Sequence, residues 1–294
     1  MVATSLTVRV LNRIGIAITL AMLCLHGSVV CAEPQPLPSE VIAIPKKILL
    51  GTLSLETTVY KPPGEGPFPL VIINHGKANG PPGLQPRYQP VSAARYFVER
   101  NYVVFVPMRS GFSNSSGNYI GGGCNIESNG LAQAEDVATT LAYAHAQPYV
   151  DKSRSLIVGQ SHGGWTTLAY GAINSDASVK GLVNFAGGLR QDQCSGWRGA
   201  LGKAAAEFGR RTKVPSIWLY GDNDSFFAPD VYSDMFENYR RGNPDAELIA
   251  YGTFGTDSHA LFSSKDGRKV WEPYVERFLQ KVGLPTEVVN PQFK

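Results

Sequence analysis

The hydrophobic pattern of the chain alternates between short apolar runs and longer segments with helical spacing. The apolar runs are bounded by Gly, Pro, Asn or Ser and are typical of strands. They predict strands at residues 41–50, 53–60, 69–74, 102–107, 155–159, 180–185, 214–220 and 247–251. The segments between them predict helices at residues 91–100, 126–146, 165–173, 229–241 and 269–281. Strands regularly separated by helices indicate an α/β fold, with a mainly parallel sheet covered by helices on both faces.

One junction of strand, turn and helix stands out in this pattern. Apolar residues 156–158 lead into Gly159-Gln160-Ser161-His162-Gly163-Gly164, and a predicted helix follows at once. The glycines omit side chains that would collide in a sharp turn, which would lift the Ser161 hydroxyl clear of the sheet. A glycine-rich turn whose serine merely caps a helix would show the same Gly-x-Ser-x-Gly pattern, residues 159–163. The flanking strand and helix favour a catalytic nucleophile.

A serine nucleophile needs a base, and the base needs a third group to orient it. In a parallel sheet, the reactive side chains follow the carboxyl ends of the strands. His259 lies in the loop after the last predicted strand and is the predicted general base. His75 precedes the turn at Ser161, which we call the nucleophile elbow. His145 lies in a predicted helix, and the ring of His162 should point away from the Ser161 hydroxyl.

The acid is expected after the strand that precedes His259, where the chain offers Asp222 and Asp224. The order Ser, Asp, His along the chain is that of hydrolases with a nucleophile elbow. We expect Asp224 to be the acid, because the turn at Gly221 should return the third residue towards the site. Asp222 would then hold the turn through side-chain bonds to the backbone.

An oxyanion hole requires two backbone N–H donors. We expect one from His162, the residue after the nucleophile, and the other from Lys77, which follows His75-Gly76. The alternative for His75-Gly76 is a tight turn without catalytic significance. Arg109, after another strand, could bind a substrate carboxylate, but we favour a structural tie to an acid on a nearby helix, either Glu135 or Asp136.

Taken together, these motifs resemble those of α/β-hydrolases of the dienelactone hydrolase-like group, close to exported carboxylesterases. The matching pieces span almost the whole region after residue 32: Asn74-His75-Gly76, Arg109-Ser110-Gly111-Phe112, Gly159-Gln160-Ser161-His162-Gly163-Gly164, Tyr220-Gly221-Asp222-Asn223-Asp224 and His259-Ala260-Leu261-Phe262. The resemblance implies the α/β-hydrolase fold and aligns the family's acid with Asp224. Dienelactone hydrolase itself uses a cysteine nucleophile, so its lactone specificity is not carried over to Ser161.

The first 32 residues have the pattern of a signal peptide. Arg9 and Arg13 precede an apolar stretch, residues 14–25, that is too short to span a membrane. Cleavage after Ala32 is expected, which leaves residues 33–294 as a single catalytic domain. Acylation of Cys31 and an uncleaved anchor are the alternatives. The protein is therefore expected to be exported, either periplasmic or secreted, without stable insertion in the membrane.

Charge gives no evidence for a polyanionic partner. The predicted signal peptide holds two of the 27 Lys and Arg and none of the 24 Asp and Glu, which leaves 25 basic residues against 24 acidic ones. A nearly neutral chain does not indicate binding to nucleic acid or to an anionic membrane. No metal or organic cofactor is expected, and the sequence does not indicate an oligomeric state.

Two long segments without regular pattern, residues 108–123 and 186–213, are expected to lie over the active site. Each carries or adjoins one of the two cysteines outside the signal peptide, Cys124 and Cys194. In an exported chain, two such cysteines predict one disulfide. The substrate pocket is expected to be walled by aromatic side chains from these and neighbouring loops, namely Tyr119, Trp197, Phe226 and Phe227.

The predicted function is hydrolysis of small carboxylic esters through an acyl-enzyme on Ser161. A serine peptidase of the prolyl-oligopeptidase type shares the elbow and is the first alternative, although the chain is short for that family's propeller domain. A catalytically silent binding protein on the same fold is the second alternative. Its expected signature is the loss of a triad residue, and Ser161, Asp224 and His259 are all present.

Overall fold

A computed structural model describes Met1, Val2 and residues 35–294. The rest of the predicted signal peptide and its cleavage site lie outside these residues. Residues 35–294 lie in one compact unit. Its strands are β1 Ser39–Ile48, β2 Gly51–Tyr60, β3 Phe68–Asn74, β4 Val103–Pro107, β5 Val150–Gln160, β6 Val179–Phe185, β7 Ser216–Tyr220 and β8 Ala246–Ala250. Its α-helices are α1 Val91–Glu99, α2 Ile126–His145, α3 His162–Ile173, α4 Trp197–Arg211, α5 Pro229–Arg240 and α6 Gly267–Lys281.

The eight strands form one sheet in the order β1-β2-β4-β3-β5-β6-β7-β8. The hairpin β1–β2 is antiparallel and joins the sheet antiparallel to β4, and every other neighbouring pair is parallel. The prediction of a mainly parallel sheet is therefore confirmed. In this arrangement the carboxyl ends of β3 to β8 lie at one edge, which is where an α/β protein places its reactive groups.

Alternation along the strands divides the core into two layers. Leu70 and Ile72 of β3 pack with helices α2 to α5 on one face of the sheet. Val71 and Ile73, their neighbours, pack with α1 and α6 on the other face. Successive side chains of a strand point to opposite faces, so a continuous apolar run such as that of β3 serves both layers. This confirms the prediction of helices on both faces.

The prediction of an irregular segment at residues 186–213 is wrong in its second half, which forms α4. The glycines and the charged residues of this helix obscure its apolar stripe, but Leu201, Ala204, Ala205 and Phe208 are buried against the core. Strand β5 is also longer than predicted and begins at Val150. No helix in the described part of the chain has the length and apolarity needed to cross a membrane.

Candidate active site

Ser161 occupies the sharp turn between β5 and α3. Its backbone angles are φ 58° and ψ −125°, a strained conformation for a residue with a side chain. Glycine is required on both sides of the turn, because a Cβ on Gly159 would lie 2.1 Å from the Gly163 oxygen. A Cβ on Gly163 would lie 2.1 Å from the Asn74 oxygen. The strained turn predicted from the glycine spacing is therefore present.

Three residues from separate loops meet at this turn. The Ser161 Oγ lies 2.9 Å from Nε2 of His259, in the loop after β8. The Nδ1 of His259 lies 3.0 Å and 3.1 Å from the two carboxylate oxygens of Asp224, in the loop after β7. Ser161 can donate its proton to Nε2 while Nδ1–H donates to the carboxylate, which is the arrangement of a Ser-His-Asp triad.

The Asp224 carboxylate is held in place from both sides. Its side chain is fully buried, and its Oδ1 accepts hydrogen bonds of 2.8 Å and 2.9 Å from the backbone N–H groups of Phe226 and Phe227. Among the described residues, the Asp222 side chain makes no hydrogen bond to His259 or to the turn backbone; instead it accepts a 3.4 Å bond from the Tyr232 hydroxyl. The expectation that Asp222 braces the turn is wrong in this respect.

Sequence reasoning missed Asp257, which joins the loops that carry Asp224 and His259. Its carboxylate accepts from the backbone N–H of His259 at 3.0 Å and from the hydroxyl and N–H of Ser225 at 2.6 Å and 3.1 Å. Partial burial opposes ionisation, but these bonds lower the pKa of Asp257 below its ordinary value. The signal was available, since an Asp two residues before His259 favours a side-chain turn of this kind.

A buried cluster of Arg109, His75 and His162 lies behind Ser161. The Arg109 guanidinium donates to Nδ1 of His162 at 3.0 Å and, through Nε, to the Gln133 side chain. The backbone N–H of Arg109 donates to Nε2 of His75 at 3.1 Å. Burial lowers the pKa of Arg109 to about 9, an effect that Asp136 partly opposes.

The prediction that Arg109 pairs with an acid on α2 is wrong, because its guanidinium bonds to Gln133 and His162 instead. Arg109 is nevertheless fully buried, which agrees with the structural role that was expected. The Asp136 carboxylate accepts hydrogen bonds from the Lys46 ammonium at 2.7 Å and from the backbone N–H of Ser110 at 2.7 Å. The tie between this loop and an acid on α2 thus exists, but Ser110 makes it. Glu135, the other candidate, lies 3.6 Å from Lys46.

Both buried histidines are neutral. Burial, followed by the charge of Arg109, holds the pKa of His75 and of His162 well below the ordinary value. The ring of His162 faces Arg109 and the Asn129 amide oxygen, which lies 2.9 Å from Nε2. It points away from Ser161, as predicted, and its backbone N–H belongs to the first turn of α3, where amides lack partners within the helix.

Two cavities border Ser161. One, of about 300 Å³, is lined by His259 and by apolar groups of Tyr88, Met108 and Phe226, together with Gly76 and Lys77. The other, of about 280 Å³, is lined by Lys77, His162, Phe226 and Phe227, and by the segment that contains Leu189 and Arg190. The two residues predicted as oxyanion donors, Lys77 and His162, therefore lie beside Ser161.

The predicted aromatic walls divide into two groups. Phe226 lines both cavities, with its ring 4.5 Å from that of His259, and Phe227 lines the second. Neither Tyr119 nor Trp197 is among the residues that line these cavities. Tyr119 packs on the ring of His162 at 5.6 Å, while Trp197 begins α4 and packs against the core.

The predicted disulfide is present. Cys124 and Cys194 are bonded, with their Cα atoms 5.1 Å apart. The bond joins the loop before α2 to the segment after β6, part of which lines the second cavity. Among the described residues, no group of three or more His, Cys, Asp or Glu side chains could hold a metal ion.

A second contact of histidine, serine and aspartate lies at the end of α2. Nε2 of His145 is 3.0 Å from the Ser155 hydroxyl, and its Nδ1 is 3.6 Å from Asp176. Ser155 is completely buried, so its hydroxyl is inaccessible to a substrate. This contact ties α2 to β5, and it agrees with a structural role for His145.

Solved structures of several hydrolases share this architecture. The chain resembles an esterase of Pyrococcus furiosus, with a TM-score of 0.61 and 15% identity over 84% of this chain and 91% of the other. A proposed dienelactone hydrolase of Klebsiella pneumoniae gives a TM-score of 0.56 and 18% identity, with 85% and 99% covered. The chain has the α/β-hydrolase fold. At these identities the likeness establishes the fold alone.

Two further comparisons concern peptidases of this fold. The profile of the prolyl oligopeptidase family matches residues 89–187, which include the elbow but neither Asp224 nor His259. The acylaminoacyl peptidase of Pyrococcus horikoshii gives a TM-score of 0.61 and 17% identity over 88% of this chain, but only 44% of the peptidase is covered. No curated protein matches the sequence significantly.

Proposed function

We propose that this α/β-hydrolase-fold protein is a serine hydrolase that cleaves carboxylic esters. The observation that carries the proposal is the continuous hydrogen-bonded path from Ser161 through His259 to Asp224, beside open cavities. Of the two His-linked serines described above, Ser161 lines cavities whereas Ser155 is buried. The strained backbone at Ser161 supports the same role, because strain of this kind is concentrated at functional sites.

In the proposed first step, the Ser161 oxygen attacks the ester carbonyl carbon and its proton passes to Nε2 of His259. The carbonyl electrons move to the oxygen, which accepts hydrogen bonds from the N–H groups of His162 and Lys77. Asp224 remains ionised and stabilises the imidazolium. The carbon–oxygen bond to the alcohol then breaks, and His259 returns the proton to the leaving oxygen.

In the second step, water attacks the acyl-enzyme and gives a proton to His259. The tetrahedral intermediate collapses, the acid is released and Ser161 recovers its proton. Because the leaving oxygen must lie next to His259, we assign the alcohol to the cavity of about 300 Å³ that His259 lines. The acyl group then occupies the second cavity, beside His162. The apolar walls of the first cavity favour an apolar or aromatic alcohol.

The test is a panel of 4-nitrophenyl esters of acetate, butyrate and octanoate, with the 4-nitroanilides of the same acids. We expect ester hydrolysis by the wild-type protein, labelling of Ser161 by a fluorophosphonate, and a loss of kcat of about 10³-fold or more in Ser161→Ala. Asp224→Asn should lose most of the activity, whereas the matched variant Asp222→Asn should retain it. Near-normal turnover by purified Ser161→Ala would refute the proposal.

The anilides address the peptidase alternative, which the match to the prolyl oligopeptidase family favours. Serine peptidases also cleave activated esters, so ester turnover alone does not separate the two activities. Anilide cleavage with a kcat/KM comparable to that of the esters would support a peptidase. A folded protein that neither turns over substrate nor reacts with the fluorophosphonate would support the silent binding protein.

A further inference from the structure

His75 follows β3, beside the nucleophile turn, and the triad does not use it. Its Nε2 lies 3.1 Å from the backbone N–H of Arg109. A backbone N–H can only donate, so this ring nitrogen is the acceptor and carries no proton. Since the imidazole is neutral, the proton is on Nδ1. Nδ1 lies 2.6 Å from the carbonyl oxygen of Gly76, to which it donates.

This bond determines the direction of the next amide. In a planar trans peptide, the N–H of Lys77 points opposite to the carbonyl of Gly76. A carbonyl held towards the buried His75 ring therefore turns the Lys77 N–H towards the other side of the peptide. Gly76 lies against the nucleophile, since a Cβ added to it would be 3.3 Å from the Ser161 Cβ, and both Gly76 and Lys77 line the cavity.

We propose that His75 is a positioning residue that orients the Gly76–Lys77 peptide, so that the Lys77 N–H points at the oxyanion formed during ester cleavage. The inference rests on the proposed function. Arg109 extends the same device to the second donor, because its backbone holds His75 while its guanidinium holds the ring of His162. Arg109 thus supports both backbone segments that would supply the oxyanion donors, the one at Lys77 and the one at His162.

A purely structural role for His75 is the competing explanation. Its ring packs edge-on against Phe112, with centroids 4.6 Å apart, and its side chain is almost fully buried. Loss of packing would lower the stability of the protein and the folded fraction. Loss of positioning would reduce kcat in the folded protein and weaken binding of a transition-state analogue, with little change in KM.

The experiment compares His75→Asn with His75→Gln. An Asn side chain places its amide nitrogen close to the position of imidazole Nδ1 and can still donate to Gly76. The longer Gln side chain places its amide near Nε2, where it faces Arg109 instead. Both replacements are polar and of similar size, so they should differ in the donor to Gly76 more than in folding.

The measurements are kcat and KM for 4-nitrophenyl butyrate, the inhibition constant of an alkyl trifluoromethyl ketone, and Tm. We expect His75→Asn to stay within about threefold of wild type, and His75→Gln to lose about tenfold or more in kcat, since loss of a whole donor costs about 10²–10³-fold. The inhibition constant should rise by the same factor as kcat falls. Phe112→Leu is the packing control, with a lower Tm but wild-type kcat in the folded protein.

Equal kcat values for the Asn and Gln variants, or an unchanged inhibition constant in His75→Gln, would overturn the inference. Ser161→Ala is assayed in parallel. An active Ser161→Ala would mean that the proposed function has failed. An inactive Ser161→Ala combined with a fully active His75→Gln would refute the positioning role alone.

Discussion

Three histidines surround Ser161, and their environments give each a different part in the site. The side chain of His259 is 11% exposed and connects Ser161 to Asp224. His75 and His162 are buried and neutral, and their protonation patterns follow from donors that Arg109 supplies. At the scale of the residue, function therefore depends on the immediate surroundings more than on the type of side chain.

Burial of two neutral histidines predicts a loss of stability in mild acid. Their pKa values in the folded protein lie well below the ordinary 6.5. As the pH falls through 6.5, these groups bind protons in the unfolded chain but not in the folded one, so unfolding is favoured. Each contributes at most about 1.4 kcal/mol per pH unit to this slope.

Urea unfolding between pH 7.5 and 5.5 measures this slope. We expect the free energy of unfolding to fall with pH in the wild-type protein, and to fall less steeply in His75→Asn, which binds one proton fewer on unfolding. An identical slope in the two proteins would show that His75 titrates alike in the folded and unfolded states.

At the scale of the element, the nucleophile turn depends on close contact between backbones. Strand β5 and helix α3 meet at Ser161, and the amino end of α3 lies against the end of β3. A side chain at Gly159 or Gly163 would displace main-chain atoms, which cannot move without disturbing the sheet. The glycines are thus required by the packing of three elements and not only by the turn.

Gly163→Ala should destabilise the protein by about 3 kcal/mol or more, because its Cβ would lie 2.1 Å from the Asn74 oxygen. Gly199→Ala in α4 is the matched control, since nothing lies within 4 Å of its Cβ. There the better helix propensity of Ala should stabilise the protein by about 0.5 kcal/mol. Thermal unfolding of both variants checks the contrast, and equal Tm values for the two would contradict it.

At the scale of the whole molecule, the site is assembled from loops that are distant in sequence. Asp257 joins the loop of Asp224 to the loop of His259, and the Cys124–Cys194 bond joins the segments before α2 and α4. Neither tie belongs to an α-helix or a strand. The disulfide is compatible with the export expected from the sequence, because such bonds persist in oxidising compartments.

Removal of the disulfide should cost stability and activity together. It closes a loop of 70 residues, for which chain entropy alone gives about 4 kcal/mol. Urea unfolding with and without reductant measures the loss. The double variant Cys124→Ser/Cys194→Ser should have the same unfolding midpoint with and without reductant. Esterase activity should fall as well, because the segment that holds Cys194 lines a cavity beside Ser161. Reduction without effect on the unfolding midpoint would contradict this prediction.

Local patterns predicted much of this protein because their physical causes are local. Apolar runs predicted the sheet, glycine spacing predicted the turn at Ser161, and two cysteines in a chain expected to be exported predicted their bond. Helix α4 was missed because the residues that bury it are Ala and Gly as much as Leu and Phe, so its stripe is recognisable only against α3 and α5.

The sequence by itself determined the order of the strands and of every α-helix except α4, the strained turn and the residues of the proposed triad, since these depend on neighbours along the chain. Only the tertiary structure decided which groups meet. It brought Asp224 against His259, the pair that the sequence had favoured, paired the Asp136 carboxylate with the backbone N–H of Ser110 and not with Arg109, and joined Arg109 to His75 and His162. Hydrogen bonds between distant loops depend on distances of a few tenths of an ångström, which arise only when the two core layers pack and bring the strand ends to one edge.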